Sequence, residues 1–138
     1  MKTLTTFICA LCLSAGSLVA QEIPKPQVKL LLSAGETVLG QEITYPSDPA
    51  QITTAIVTLP PNGQTGWHHH TVPLVGYMLE GELTVDYGEH GTRTYTAGEA
   101  VYEAMATSHN GQNTGDVPVR ILVVFAGAKG IPNSVADQ

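Results

Sequence analysis

Cysteine, charge and helical periodicity are all scarce in this sequence, and each shortage removes a class of protein. The only cysteines, Cys9 and Cys12, lie within the first twenty residues. Without that segment the chain has no disulfide, no thiolate metal ligand and no cysteine nucleophile, so stability must come from an apolar core and chemistry from other groups. Charged residues make up 13% of the chain, and six basic residues stand against twelve acidic ones. That balance argues against nucleic acid or an anionic membrane surface as a partner. From Val28 onward no apolar pattern recurs at helical spacing. The glycines, Gly63, Gly66, Gly81, Gly88, Gly98 and Gly111 among them, precede no helix and read as turn residues rather than a phosphate cradle. There is no internal repeat and no low-complexity segment.

The start of the chain has the form of an export signal. Lys2 is followed by an apolar stretch from Phe7 to Leu13 and then by small residues from Ala15 through Gly16 and Ser17 to Ala20. Residues 1–20 are therefore expected to be a secretory signal peptide, cut after Ala20 or after Ser17. Ser14, Gly16 and Ser17 interrupt an apolar core already shorter than the roughly 20 residues that span a bilayer, so a retained anchor is disfavoured. The mature protein is expected to be exported, periplasmic or secreted, with no membrane attachment. Residues 21–27, with Pro24 and Pro26, read as an N-terminal arm. The 138 residues leave room for one compact domain, placed at 28–131, with 132–138 as a frayed or lightly docked tail.

Short β-rich runs bounded by Gly, Pro, Asn and Asp fill that domain: Val28–Leu32, Ile43–Tyr45, Ile52–Leu59, Gly76–Leu79, Leu83–Tyr87, Thr92–Thr96, Ala100–Ala104 and Val119–Phe125. The fold class is all-β, a sandwich or barrel. Leu83, Val85 and Tyr87 alternate with Thr84 and Asp86, as in a strand with one buried face. Ile121–Phe125 lacks alternation, which predicts a strand covered on both sides, by an opposite sheet and an arm or by a second subunit. A homodimer is one outcome.

Three consecutive histidines, His68, His69 and His70, follow Trp67. On an extended chain His68 and His70 point to one face and His69 to the other, so the outer two form a two-toothed clamp for a divalent metal. A third ligand must come from elsewhere, and His109, at the end of a separate strand run and before Asn110 and Asn113, is the natural candidate.

At these residues the chain resembles the cupins. The stretch from Gly63 to His70 resembles the opening of the first cupin motif, and Tyr77-Met-Leu-Glu-Gly81 its tyrosine-containing strand and glycine turn. Gly98, His109 and Asn113 fall in the positions of the second motif, with Ala104 and Ala106 replacing its turn proline and glycine. Where cupins usually supply a glutamate ligand this chain has Leu74, or Val75 if the spacer is one longer. The resemblance implies a single cupin-type jelly-roll β-barrel that holds one divalent metal on His68, His70 and His109, with iron, manganese, zinc, nickel and copper all open. It also implies dioxygenase-like chemistry on a small molecule. Three neutral ligands would leave the metal charge uncompensated and favour an anionic substrate or a hydroxide.

Glu103 and Tyr77 are further candidates for catalysis. A carboxylate in the apolar run at Glu103 is costly to bury unless paired; it either replaces the missing ligand, acts as a base, faces solvent, or pairs with Arg93 or Arg120. Tyr77, Tyr102 and Trp67 either line a cavity or belong to the core. His90 reads as a solvated turn residue. Three functions fit these features: a metal-dependent enzyme, a non-catalytic periplasmic module binding a metal or small ligand, and a degenerate barrel with a structural or sensory role.

Overall fold

The structure is a computed structural model and describes residues 23–137. The expected signal peptide at 1–20 lies outside the described residues. Among the described residues nine strands and one 3-10 turn follow in chain order: β1 Ala50–Leu59, β2 His68–His70, β3 Leu74–Glu80, β4 Glu82–Asp86, the turn Gly88–His90, β5 Thr92–Thr96, β6 Ala100–Tyr102, β7 Asn110–Asn113, β8 Val119–Ala128 and β9 Ser134–Ala136. The fold is all-β, and no helix among the described residues is long and apolar enough to cross a membrane.

The strands form a four-stranded sheet ordered β1-β8-β3-β6, a three-stranded sheet ordered β5-β4-β7, and the pair β2-β9. Every pairing between strands is antiparallel. Side-chain alternation decides which residues meet inside. Leu74 and Met78 on β3, Ile121 and Val123 on β8 and Leu59 on β1 face Leu83 and Val85 on β4, and Tyr87 closes the cluster. Full burial of each aliphatic side chain contributes about 1.5–3 kcal/mol.

The opposite face of the large sheet is apolar too. Ile52 and Ile56 on β1 are 71% and 52% exposed, and Leu122 and Val124 on β8 are half-buried. This explains why the run Ile121–Phe125 shows no alternation in sequence: one face meets the core and the other a surface that is apolar but partly open.

Three differences from the sequence expectations have physical causes. Val28–Leu32 and Ile43–Tyr45 have strand composition but form no strand, because neither joins a ladder: the Ile43 N–H makes a single backbone bond to Gly35 O at 2.9 Å, and Val28, Leu30 and Tyr45 are highly exposed. Asn110–Asn113, polar throughout, is a strand because it pairs with β4. The C-terminal stretch, expected to be frayed or lightly docked, is docked through a strand that its composition did not announce: β9 pairs with β2, His70 facing Ser134 and His68 facing Ala136.

One glycine is required. Gly81, between β3 and β4, has φ 76°, and a Cβ there would lie 2.7 Å from the carbonyl oxygen of Pro118. The turn it forms hands the chain from one sheet to the other. In the second motif the matching device is imperfect: Ala106 adopts φ 51°, a left-handed conformation that glycine takes without cost.

Candidate metal centre

The three histidines singled out in the sequence meet at one place. His68 and His70 come from β2, two residues apart and therefore on one face, and His109 lies just before β7. The backbones of His68 and His109 exchange two hydrogen bonds, His68 N–H to His109 O at 3.0 Å and His109 N–H to His68 O at 2.9 Å. This bridge sets the third ligand beside the first. Ring centroids lie 4.9 Å apart for His68–His70, 4.5 Å for His68–His109 and 4.9 Å for His70–His109. One nitrogen from each ring falls within 4.8 Å of the others, and these three residues form the only such metal-capable group among the described residues.

The ring tautomers are fixed by what the other nitrogens touch. His68 Nδ1 lies 2.8 Å from the carbonyl of Gly66, and His109 Nδ1 lies 2.9 Å from that of Thr107. His70 Nδ1 lies 2.9 Å from Ser134 Oγ and 3.3 Å from the carbonyl of Asn133. A carbonyl only accepts, so each Nδ1 carries the hydrogen and donates it, leaving all three Nε2 atoms with a free lone pair. Metal-binding histidines are held in this way. The donor set therefore fits a divalent ion.

Burial favours the neutral form of His70 and His68. Burial, reinforced by the neighbouring His109 and His68, pushes His70 down to a pKa of about 3. Burial also lowers His68, against the opposing effect of its bond to Gly66. A neutral imidazole is the form that ligates.

His69 faces the other way, as alternation requires, and its Nδ1 donates to Asp137 at 2.7 Å. The loop before His109 is splinted by Gln41, whose Nε2 donates to Met105 O at 2.6 Å and to Thr107 Oγ1 at 3.1 Å while its Oε1 accepts from Met105 N–H at 2.9 Å. Asn113 is 1% exposed, and its Nδ2 donates to Leu59 O at 3.0 Å and Val117 O at 2.8 Å. It staples two loops and does not reach the histidines' cluster.

A cavity of about 790 Å³ opens on the histidines. Its walls are chiefly apolar, from Val57, Leu59, Leu74, Met78, Leu83, Val85, Val101, Ile121 and Phe125, with Trp67 at the histidine side. Among the described residues no lysine or arginine lines it, and its carboxylates are Glu103 and Asp137. Leu74 thus presents an apolar side chain to the cavity, while Val75 falls on the outer face of β3, 38% exposed.

Glu103 is buried and lines the cavity. Its Oε1 accepts from the Tyr87 hydroxyl at 2.7 Å and from Ala104 N–H at 2.7 Å. The Tyr95 hydroxyl, 3.1 Å from that of Tyr87, continues the chain. Burial first, and then the Glu103 charge, hold Tyr87 far above its ordinary value, and burial pushes Tyr95 up to about 12, so both stay protonated donors. Neither Arg93 nor Arg120 is the partner of Glu103; Arg120 lies 3.8 Å from Glu80. Tyr77 does not join the site: on β3 it alternates with the inward Gly76 and Met78 and is absent from the cavity wall. Tyr102 bonds the carbonyl of Leu32 instead. The tyrosines that do matter to the cavity are Tyr95, in its wall, and Tyr87, which holds Glu103. The period-two alternation ending at Tyr87 was the one sequence signal for the latter.

The family described as Cupin domain matches residues 55–125, just over half of the chain. The chain belongs to the cupins. Among solved structures, the oxalate decarboxylase of Lactobacillus farciminis, in its formate complex, is 27% identical with a TM-score of 0.54, over 62% of this cupin and 26% of that chain. An oxalate oxidase is 25% identical with a TM-score of 0.53, over 62% of this cupin and 45% of that chain. A cupin domain from Bordetella pertussis is 23% identical with a TM-score of 0.50, over 70% of this cupin and 99% of that chain, a likeness of fold. This cupin therefore spans less than half the length of either oxalate enzyme. Comparison with curated proteins gives no match. The architecture is the single cupin jelly roll, and the three histidines form a cluster that could hold a metal ion.

Proposed function

We propose that this cupin is a metal-dependent enzyme acting on a small anionic molecule, with dioxygenase-like oxidation as its leading chemistry. The carrying observation is the triad itself: three neutral histidines with every Nδ1 bound to an oxygen acceptor and every Nε2 free, beside a cavity of about 790 Å³. A divalent ion held there, whether iron, manganese, zinc, nickel or copper, supplies Lewis acidity and, for the redox-active members, electron transfer.

The chain's own residues narrow the substrate. The ligands carry no charge, and the cavity wall offers no lysine or arginine, so an anionic head is attracted by the ion alone. The apolar wall suits a body that is itself apolar. Glu103, positioned through Oε1 by Tyr87, is the candidate proton acceptor at the wall. An oxalate decarboxylase and an oxalate oxidase among the similar structures support a carboxylate-bearing substrate. The apolar Leu74 favours a second reading, a binding module that holds a metal or small ligand without turning it over, or a barrel that has lost its chemistry and keeps a structural or sensory role.

Elemental analysis of the purified mature protein against the His68→Ala, His109→Ala double variant tests the first step. One metal per chain, lost in the variant, supports the site; metal in neither overturns it and leaves the degenerate barrel. Oxygen uptake by the loaded protein against a panel of short carboxylates then separates enzyme from binding module.

Export to the periplasm or medium is part of the same proposal, supported by the residues from Lys2 to Ala20. We further propose a homodimer through the outer face of the large sheet. Its support is the exposed Ile52 and Ile56 on the edge strand β1 and the exposed apolar residues Val28, Leu30 and Leu31, which a second copy would cover. Light scattering of wild type and Ile52→Glu tests it; a wild-type monomer overturns it.

A further inference from the structure

Two of the three ligand rings are oriented by their own neighbourhood. His68 and His109 each donate to the carbonyl two residues earlier, at Gly66 and Thr107. His70, 4% exposed, has no such local partner. Its Nδ1 is taken by Ser134 Oγ at 2.9 Å, 64 residues along the chain, with the carbonyl of Asn133 at 3.3 Å.

The segment that brings Ser134 there is fastened at both ends. Before it, the Thr71 hydroxyl donates to the carbonyl of Pro132. After it, Asp137 N–H donates to Trp67 O at 3.0 Å and the Asp137 carboxylate accepts from His69 at 2.7 Å. Between these ties β9 runs antiparallel to β2 with Ser134 opposite His70, so the serine side chain shares a face with the ligand ring. No other strand pairs with β2; its remaining backbone contacts are single bridges at His109 and Met105.

We propose that the C-terminal strand is the positioning element of the metal centre: Ser134 orients His70, and Asp137, through His69, holds the strand in the register that puts Ser134 there. An imidazole on a strand turns about two side-chain bonds; a fixed acceptor at Nδ1 removes that freedom and aims Nε2 at the ion. Loss of such an outer partner typically lowers metal affinity about 10–100-fold. This inference rests on the metal-centre reading proposed above.

Titration of the metal-free full-length mature protein with Co(II), followed by its visible absorption bands, tests it. Ser134→Ala is expected to weaken Co(II) binding about 10–100-fold and to alter the bands, while Ser134→Thr, which keeps the hydroxyl, restores both. The urea midpoint of the metal-free Ser134→Ala protein should stay close to wild type, which separates orientation from folding. Asp137→Ala, should Ser134→Ala fail to fold, is expected to weaken binding about tenfold. Wild-type affinity and wild-type bands in the serine or aspartate variant overturn the inference while leaving the metal centre intact. Absence of Co(II) binding in the wild type overturns the metal-centre reading itself.

Discussion

The low pKa of His70 ties the stability of the metal-free barrel to pH. In the folded chain burial and the neighbouring imidazoles hold His70 at about 3, whereas its ordinary value is 6.5. Above pH 7 both states leave the ring neutral and stability does not depend on it. As pH falls through 6.5 the unfolded chain takes up a proton that the folded chain refuses, so stability is lost progressively down to about pH 3. Between pH 6 and pH 4 the loss from His70 amounts to roughly 2–3 kcal/mol, near the limiting slope for one proton. His68, also lowered by burial, adds in the same direction. Near pH 4 so do Glu99 and Asp137, whose hydrogen bonds hold them below the usual carboxylate range. Replacing His70 by asparagine isolates the histidine's share. Urea unfolding in excess chelator should show the wild-type midpoint falling by roughly 1–2 M more than that of His70→Asn over those two pH units. Equal pH dependence in the two proteins would refute the burial of a neutral His70.

Three further outcomes are expected. Ala106→Gly should raise stability by about 0.5–1 kcal/mol, because φ 51° strains alanine more than the added chain entropy of glycine costs; a lower melting temperature would contradict the strain. Asn113→Ala should destabilise by about 2–3 kcal/mol by stripping the carbonyls of Leu59 and Val117 of their donor, read as a drop of roughly 10 °C in thermal midpoint. Tyr87→Phe should cost about 1.5–3 kcal/mol in urea unfolding, since it leaves the buried Glu103 without its hydroxyl donor.

The parts of the fold legible in the sequence were those where one strand face is buried and the other wet. Leu83, Val85 and Tyr87 announced β4 and the core, and the parity of His68 and His70 announced the clamp. The short strands β2, β7 and β9 were not legible as strands, because histidines, Asn-Gly-Gln-Asn and Ser-Val-Ala have no β signature of their own and are strands only by virtue of their partners. For the same reason Val28–Leu32 has the composition of a strand and no ladder. Tyr77 and Tyr95 look alike in sequence; one residue of register decides which reaches the cavity. Gln41 and Ser134 act across 64 residues each, a distance at which no local pattern points to the site.

The relation between Leu74 and Glu103 bears most directly on what the centre can bind. Glu103 N–H donates to the carbonyl of Leu74 at 3.1 Å, so the carboxylate stands on the neighbouring chain segment to the position where a cupin usually carries its acidic ligand. Its Oε1 is engaged by Tyr87 and Ala104, and it does not enter the group of nitrogens that converge for the metal. A carboxylate ligand would cancel half the charge of a divalent ion and leave a weaker field for any incoming anion. On the metal-centre reading proposed above, the cancellation would come from the incoming molecule, while Glu103 and Asp137, the carboxylates of the wall among the described residues, would repel a second negative group on it. The two effects act together in favour of a single anionic head and an apolar body. They act against a compact dianion such as oxalate, whose two charges would meet one attracting centre and two repelling ones.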